Sequence, residues 1–290
     1  MLFLIGSIIL TSYLTLSFKL VERFRLNTFQ CIVFNYIACV ITGSFVNGSF
    51  PIEVKTVAEH WFPWALLMGA SFISIFNIIG YSTQKIGVAV VSVANKLSLV
   101  IPFVFSIYLY KEPVTFLKGF GLVVALIAVA LTCWPKPSSE SHRHNFAFFL
   151  LPIVLFFSSG LLDTMVKYVE QAFLNESNNN AYLITAFAAA GSAGIIGLLI
   201  QVARGKQTIS WKAMLMGAAI GIPNYFSIWC LVKVLKEHSD NSSAIIPINN
   251  MGIVLFSTIV AFLLFKEKLS WINWIGVVLS LGAIALIAFG

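Results

Sequence analysis

Leu109-Tyr110-Lys111-Glu112 returns later in the chain as Leu264-Phe265-Lys266-Glu267, and the match continues past the glutamate. Gly121, Val123, Leu126, Ala128, Ala130 and Leu131 align at the same offset with Gly276, Val278, Leu281, Ala283, Ala285 and Leu286. An earlier stretch repeats as well: Lys19-Leu20-Val21-Glu22 comes back as Lys167-Tyr168-Val169-Glu170. Self-similarity over so long a period marks two copies of one folding unit. The copies are read as residues 1–134 and 146–290. Between them lies a polar linker at 135–145, Pro-Lys-Pro-Ser-Ser-Glu-Ser-His-Arg-His-Asn.

Hydrophobic residues make up 59% of the 290 and charged residues only 10%, with a mean hydropathy of +0.93. So few charges cannot keep a chain of this size in water, so lipid is the solvent for most of it. Ten apolar spans follow one another, at about 2–20, 28–46, 62–83, 88–110, 114–134, 146–169, 181–203, 214–235, 243–265 and 271–289. Each has roughly the 17–25 residues a helix needs to cross the hydrocarbon. Helices are expected because an open strand edge in lipid leaves backbone groups unsatisfied. The first span has no basic n-region and no small-residue cleavage site, and it has a repeat partner in span six, so it is counted as part of the bundle.

Five helices per copy is an odd number. If span one enters the membrane upward, span six enters it downward. The expected fold is therefore an all-α polytopic membrane protein with ten transmembrane helices as an inverted five-plus-five repeat. A duplicated hydrophobic chain of this kind is the signature of secondary transporters. The net charge of +7 is scattered at span ends and forms no patch, which argues against a nucleic-acid partner. Cys31, Cys39, Cys133 and Cys230 lie in or beside apolar segments without metal-ligand or disulfide spacing and read as packing residues. His142 and His144 in the linker are too few for a metal site, and none is expected.

The repeated Lys-Glu pairs at the ends of spans four and nine, each followed by an apolar span, resemble the EamA type of the drug/metabolite transporter superfamily. The resemblance covers the whole chain. It implies a carrier moving a small polar metabolite by alternating access across the plasma (inner) membrane, with an amino acid or related organic solute, exported, as the leading reading. Spans one to four and six to nine would enclose the site, with no bound cofactor. A lipid-modifying membrane enzyme and a non-transporting scaffold are the alternatives. The first needs a general base or metal cluster, and neither His-Glu-x-x-His nor Gly-x-Ser-x-Gly is present. The second needs no polar groups deep in its spans.

Such groups exist. A charge at the centre of a membrane helix costs about 2.5–3.5 kcal/mol on insertion scales, yet Lys96 stands near the middle of span four, next to Asn95 and one turn after Ser92. The offset that aligns the two Lys-Glu pairs carries Asn95 onto Asn250, which has Asn249 beside it. Asp163 in span six is the acid deepest in an apolar span, with Lys167 four residues on. Asn77 in span three and Asn224 after Pro223 in span eight complete the candidate substrate-binding set: Lys96, Asn95, Asn249, Asn250, Asp163, Asn77 and Asn224. No catalytic residue is assigned. The competing structural readings are an i,i+4 pair for Asp163 and Lys167 and ordinary interhelical amide bonds for the asparagines. Prolines 102 and 223 are expected to bend their helices. Glu112 and Glu267 are expected to cap or tether helix ends, and Ala186, Ala190, Gly194, Gly217 and Gly221 to let helices approach closely.

Lysines and arginines concentrate on the odd-numbered connectors (Arg23, Arg25, Lys85, Arg204, Lys206, Lys266 and Lys268 among them), which the positive-inside rule places in the cytoplasm. Both termini would then lie outside, whereas the family resemblance implies the reverse. On the count, a reporter that works only in the cytoplasm should be silent when fused after Gly290. An active fusion decides for the family orientation.

Overall fold

The computed structural model describes residues 2–110, 115–132, 134, 146–175, 178–237 and 242–289. The expectations for Lys111, Glu112, Cys133 and the linker with His142 and His144 lie outside the described residues. The chain forms α1 (Leu2–Arg23), α2 (Thr28–Asn47), a 3-10 turn (Val54–Ala58), α3 (Phe62–Ile86), α4 (Val88–Leu97), α5 (Val100–Tyr110), α6 (Phe116–Thr132), α7 (Phe146–Phe173), α8 (Asn179–Ala203), α9 (Trp211–Glu237), α10 (Ser242–Phe265) and α11 (Trp271–Phe289). No strand occurs among the described residues. Eight stretches are long and apolar enough to cross a membrane, and α6 and α11 are shorter apolar helices. The helices follow the expected spans one for one, except that span four is built in two pieces, α4 and α5. This is a polytopic, all-helical membrane protein.

Two compact units divide the chain. Unit 1 comprises Met1–Lys19, Tyr81–Leu161 and Ser227–Gly290; unit 2 comprises Leu20–Gly80 and Leu162–Phe226. Neither unit is one sequence half. Each takes matching pieces from both halves, and in each the repeat-related helices pack against one another.

In unit 1, α6 packs on its repeat counterpart α11. Gly121, near the start of α6, stands against Leu286 and Ile287 at the end of α11. Its repeat partner Gly276, near the start of α11, stands against Ala128 and Thr132 at the end of α6. The contacts are reciprocal and the helices antiparallel, which is what a two-fold axis in the membrane plane produces. Asn273 closes the arrangement, its Nδ2 donating to the Thr132 carbonyl at 2.8 Å and the Leu131 carbonyl at 3.2 Å. In doing so it satisfies carbonyls that the end of α6 leaves without intrahelical donors. Unit 2 repeats the pattern with α2 and α8. Gly191, Gly194 and Gly197 meet Tyr36, Val33 and Phe29 in turn, again antiparallel. Gly217 and Gly221 of α9 sit against the α2 backbone at Cys31 and Asn35, so a Cβ at either would collide with main chain. Cys31, Cys39 and Cys230 are buried free thiols, as packing residues should be.

The third antiparallel pair, α4 with α10, is fastened by the repeated motif itself. Lys266 takes a left-handed turn (φ 51°), and the Glu267 N–H closes back on the Ala261 carbonyl at 3.2 Å. That turn delivers the Glu267 carboxylate to the first turn of α4, where it accepts from the Val88 N–H at 2.9 and 3.0 Å and from Ala89 N–H at 3.5 Å. A carboxylate there satisfies orphan donors and complements the helix dipole. Gly87 must be glycine: its φ is +97°, and a Cβ would lie 3.0 Å from the carboxylate. Lys19 of α1 completes the clamp, its Nζ 3.9 Å from Glu267 Oε1 and donating to the Gln84 carbonyl at 3.4 Å. The two echoed sequence motifs thus meet here, Lys19 from one and Glu267 from the other. Glu267→Ala should lower stability by about 0.5–2 kcal/mol, the range for a lost N-terminal cap. Glu267→Gln, which keeps an acceptor oxygen, should lose less, and unfolding in mixed micelles would measure both.

Candidate functional site

Span four breaks immediately after Lys96. α4 ends at Leu97, and Ser98 and Leu99 form a turn before α5 begins at Val100. The cause is Pro102, which has no N–H to donate to the Ser98 carbonyl four residues back. That carbonyl takes the Ile101 N–H instead, at 2.9 Å. Ser98 also donates its hydroxyl to the Asn95 carbonyl. Pro102, expected to bend the helix, divides it. By contrast, Pro152 and Pro223 lie inside the continuous helices α7 and α9. Lys96 occupies the last turn of α4, where its charge complements the negative end of the helix dipole. Lys96 and Asn95 are both half-buried.

Asn249 and Asn250 are buried on α10, the helix packed against α4. Their level follows from the clamp. With the end of α10 at Phe265 held beside Val88 through Glu267, an antiparallel register and a rise of about 1.5 Å per residue set Asn250 roughly 12 Å beyond Asn95 along the pair. The two pairs are therefore matched in depth from opposite membrane faces and do not lie side by side as one layer. The break at Ser98–Leu99 falls between them.

Among the described residues, buried polar atoms without a hydrogen-bond partner occur in both units. They include Ser92 Oγ, Ser159 Oγ, Asn249 Oδ1 and Ser7 Oγ. Ser92 lies one turn before Lys96. Ser159 precedes Gly160, which abuts Ile101 just past the break. Ser7 precedes Ile8, which abuts Gly252, three residues from Asn249. Ser12 adds a bond from α1 to the Ile253 carbonyl at 3.4 Å. Each unsatisfied buried polar group costs about 1–3 kcal/mol. These oxygens are the polar track of unit 1; Ser82, Thr83 and Thr258 are unpartnered in the same unit, and Asn35 Nδ2, Ser44, Trp61 and Tyr182 in unit 2. Ser7 and Ser159 escape a reading of the sequence, since a lone serine in an apolar span is usually bonded to its own helix.

The other three candidates belong to unit 2. Asn77 spends its amide on its own helix, donating to the Ile73 carbonyl at 2.7 Å. Asn224 donates to Asn35 Oδ1 at 3.1 Å, beside Cys39, whose thiol reaches the Gly221 carbonyl at 3.3 Å. Asn35 is fully buried and was legible as an amide in the apolar run Val33-Phe34-Asn35-Tyr36. Asp163 is exposed on α7.

The fold is that of a multi-pass, all-helical membrane protein. Comparison with known proteins agrees: residues 146–289 match the model of the EamA-like transporter family, so the second half of the chain belongs to that family and the protein is a transporter of the drug/metabolite type. An uncharacterized protein of Haemophilus influenzae (strain ATCC 51907 / DSM 11121 / KW20 / Rd) is 25% identical over 286 residues, covering 97% of this chain and 95% of that protein. A solved crystal structure superposes with a TM-score of 0.61 at 13% identity, covering 99% of this chain and 95% of the other, a likeness of fold alone.

The Asn35–Asn224 bond is the part of this arrangement whose energy can be isolated. A double-mutant cycle on Asn35→Ala and Asn224→Ala should return a coupling of about 0.6 kcal/mol, the average for such bonds in membranes. Strictly additive single variants would show that the two amides do not interact.

Proposed function

We propose that the protein carries a small polar organic solute bearing an anionic group, an amino acid or a related metabolite, out across the plasma (inner) membrane by alternating access. The observation that carries this reading is Lys96 with Asn95 at the end of α4, directly before the helix break. Broken membrane helices border the binding sites of secondary transporters because their freed backbone groups face a cavity. A lysine there is a compact charge suited to a carboxylate or phosphate. Asn249 and Asn250 form the repeat-related polar level farther along the track, which a small solute would meet in turn and not together with Lys96. Asp163, Asn77 and Asn224 carry no part of this reading. No step of it requires a bound cofactor.

The substrate is to be identified by thermal-shift screening of the purified protein against amino acids, nucleosides and organic anions, since a ligand of the folded form raises apparent stability. Lys96→Met keeps the side-chain length and removes the charge. Transport of the identified solute should fall by about 10- to 100-fold, the equivalent of one lost charge-assisted bond of about 1.5–3 kcal/mol. A well-folded Lys96→Met protein that transports normally would return Lys96 to a packing role.

A further inference from the structure

Unit 2 contains a second polar feature, well apart in sequence from the residues of the track. Two helix ends meet there in the same kind of turn. At the end of α1, the Arg25 N–H donates to the Glu22 carbonyl at 2.9 Å and the Leu26 N–H to the Val21 carbonyl at 3.0 Å. At the end of α8, Gly205 donates to Val202 at 2.9 Å and Lys206 to Gln201 at 3.0 Å. These are Schellman turns, whose penultimate residue is left-handed and usually glycine. Gly205 obeys the rule with φ 66°, but the equivalent position in the first turn is Arg25, at φ 52°. Residues with a Cβ resist that conformation, so arginine is here against local preference.

Gln30 ties the turns together. It is 2% exposed, and its amide donates to Gln207 Oε1 at 3.0 Å and the Thr208 carbonyl at 2.8 Å while accepting from the Ser210 N–H at 3.0 Å. The result is an open surface groove with a volume of about 380 Å³, lined by Arg25 and Lys206 beside Asn27, Gln30, Gln207 and Ser210, with no carboxylate among its lining residues. Arg23 at the end of α1, Arg204 just after α8 and Lys212 at the start of α9 add positive charge close by in the sequence. Apolar side chains stand exposed next to these cations: Phe24 is 62%, Ile209 56% and Trp211 64% exposed. A soluble anion has no use for that flank, whereas a lipid places a charged headgroup beside acyl chains at this level of the bilayer.

We propose that this open groove is a binding site for the phosphodiester headgroup of an anionic membrane lipid. Arg25 offers a planar fork of donors matched to phosphate oxygens, Lys206 a second charge, and the exposed aromatic and aliphatic groups a seat for the chains. The αL arginine then has a reason: the turn gives up glycine's ease to aim a guanidinium at the headgroup.

The test uses the full-length protein in nanodiscs of phosphatidylcholine, with phosphatidylglycerol titrated in and thermal unfolding followed. Wild type should be stabilised by phosphatidylglycerol. The Arg25→Gly/Lys206→Gln double variant should bind it about thirtyfold more weakly, as loss of two basic contacts implies. Arg25→Gly alone separates charge from folding: in phosphatidylcholine it should melt at or above the wild-type temperature, yet lose most of the phosphatidylglycerol response. Lys55→Gln, which removes a charge from a different connector, should keep the full response. A double variant that responds like wild type overturns the proposal, as does an equal loss in Lys55→Gln. Stabilisation by inorganic phosphate matching that by phosphatidylglycerol would make this a soluble-anion site and equally overturn it.

Discussion

The Glu267 carboxylate on the first turn of α4 sets the geometry on which the rest of unit 1 depends. It fixes the register of two antiparallel, repeat-related helices, and that register decides the depth of every polar group they carry. The local strain that delivers it, a left-handed Lys266 and a glycine at φ +97°, is tolerated because the acceptor meets donors that nothing else in a low-dielectric interface would satisfy. Lys19 keeps the carboxylate's charge from being isolated. In the second half the motif is an inter-helix fastening, made by that half on the first.

Once the register is held, the membrane interior sorts polar groups into those that are spent and those that are not. Asn77, Asn224, Asn273 and Gln30 all have partners, so they contribute to packing at modest net energy. Ser92, Ser159, Ser7 and Asn249 Oδ1 are buried without one, on helices that border the break in span four. Lipid punishes unsatisfied polar atoms more than water does. In the proposed carrier they are the groups that a passing polar solute would satisfy, and span four is divided among them at Ser98 and Leu99.

Much of the fold was legible before any coordinates. The repeat, the apolar spans and the odd helix count per half are one-dimensional properties, and the backbone's need for internal hydrogen bonds in lipid turns each span into a helix. Packing glycines such as Gly217 and Gly221 were legible too, because small residues at four-residue spacing share a helix face. So was the role of Glu267 as a tether. The candidate site was legible in part: Lys96 declared itself by its insertion cost, and Pro102 marked the disturbance beside it.

Sequence alone therefore determined the class, the duplication and the unusual residues, since composition, periodicity and the cost of burying charge act along the chain. Tertiary structure decided which of those residues share a level. Asn95 and Asn250 are equivalent in sequence, but antiparallel pairing carries one toward each membrane face, and no offset in sequence encodes that separation. It also decided that Asn224 is committed to Asn35, that two helix ends far apart in the chain line one basic groove, and that Lys19 of the first half reaches Glu267 of the second. Those are contacts between distant segments, fixed by helix packing and by the few hydrogen bonds that lock its register.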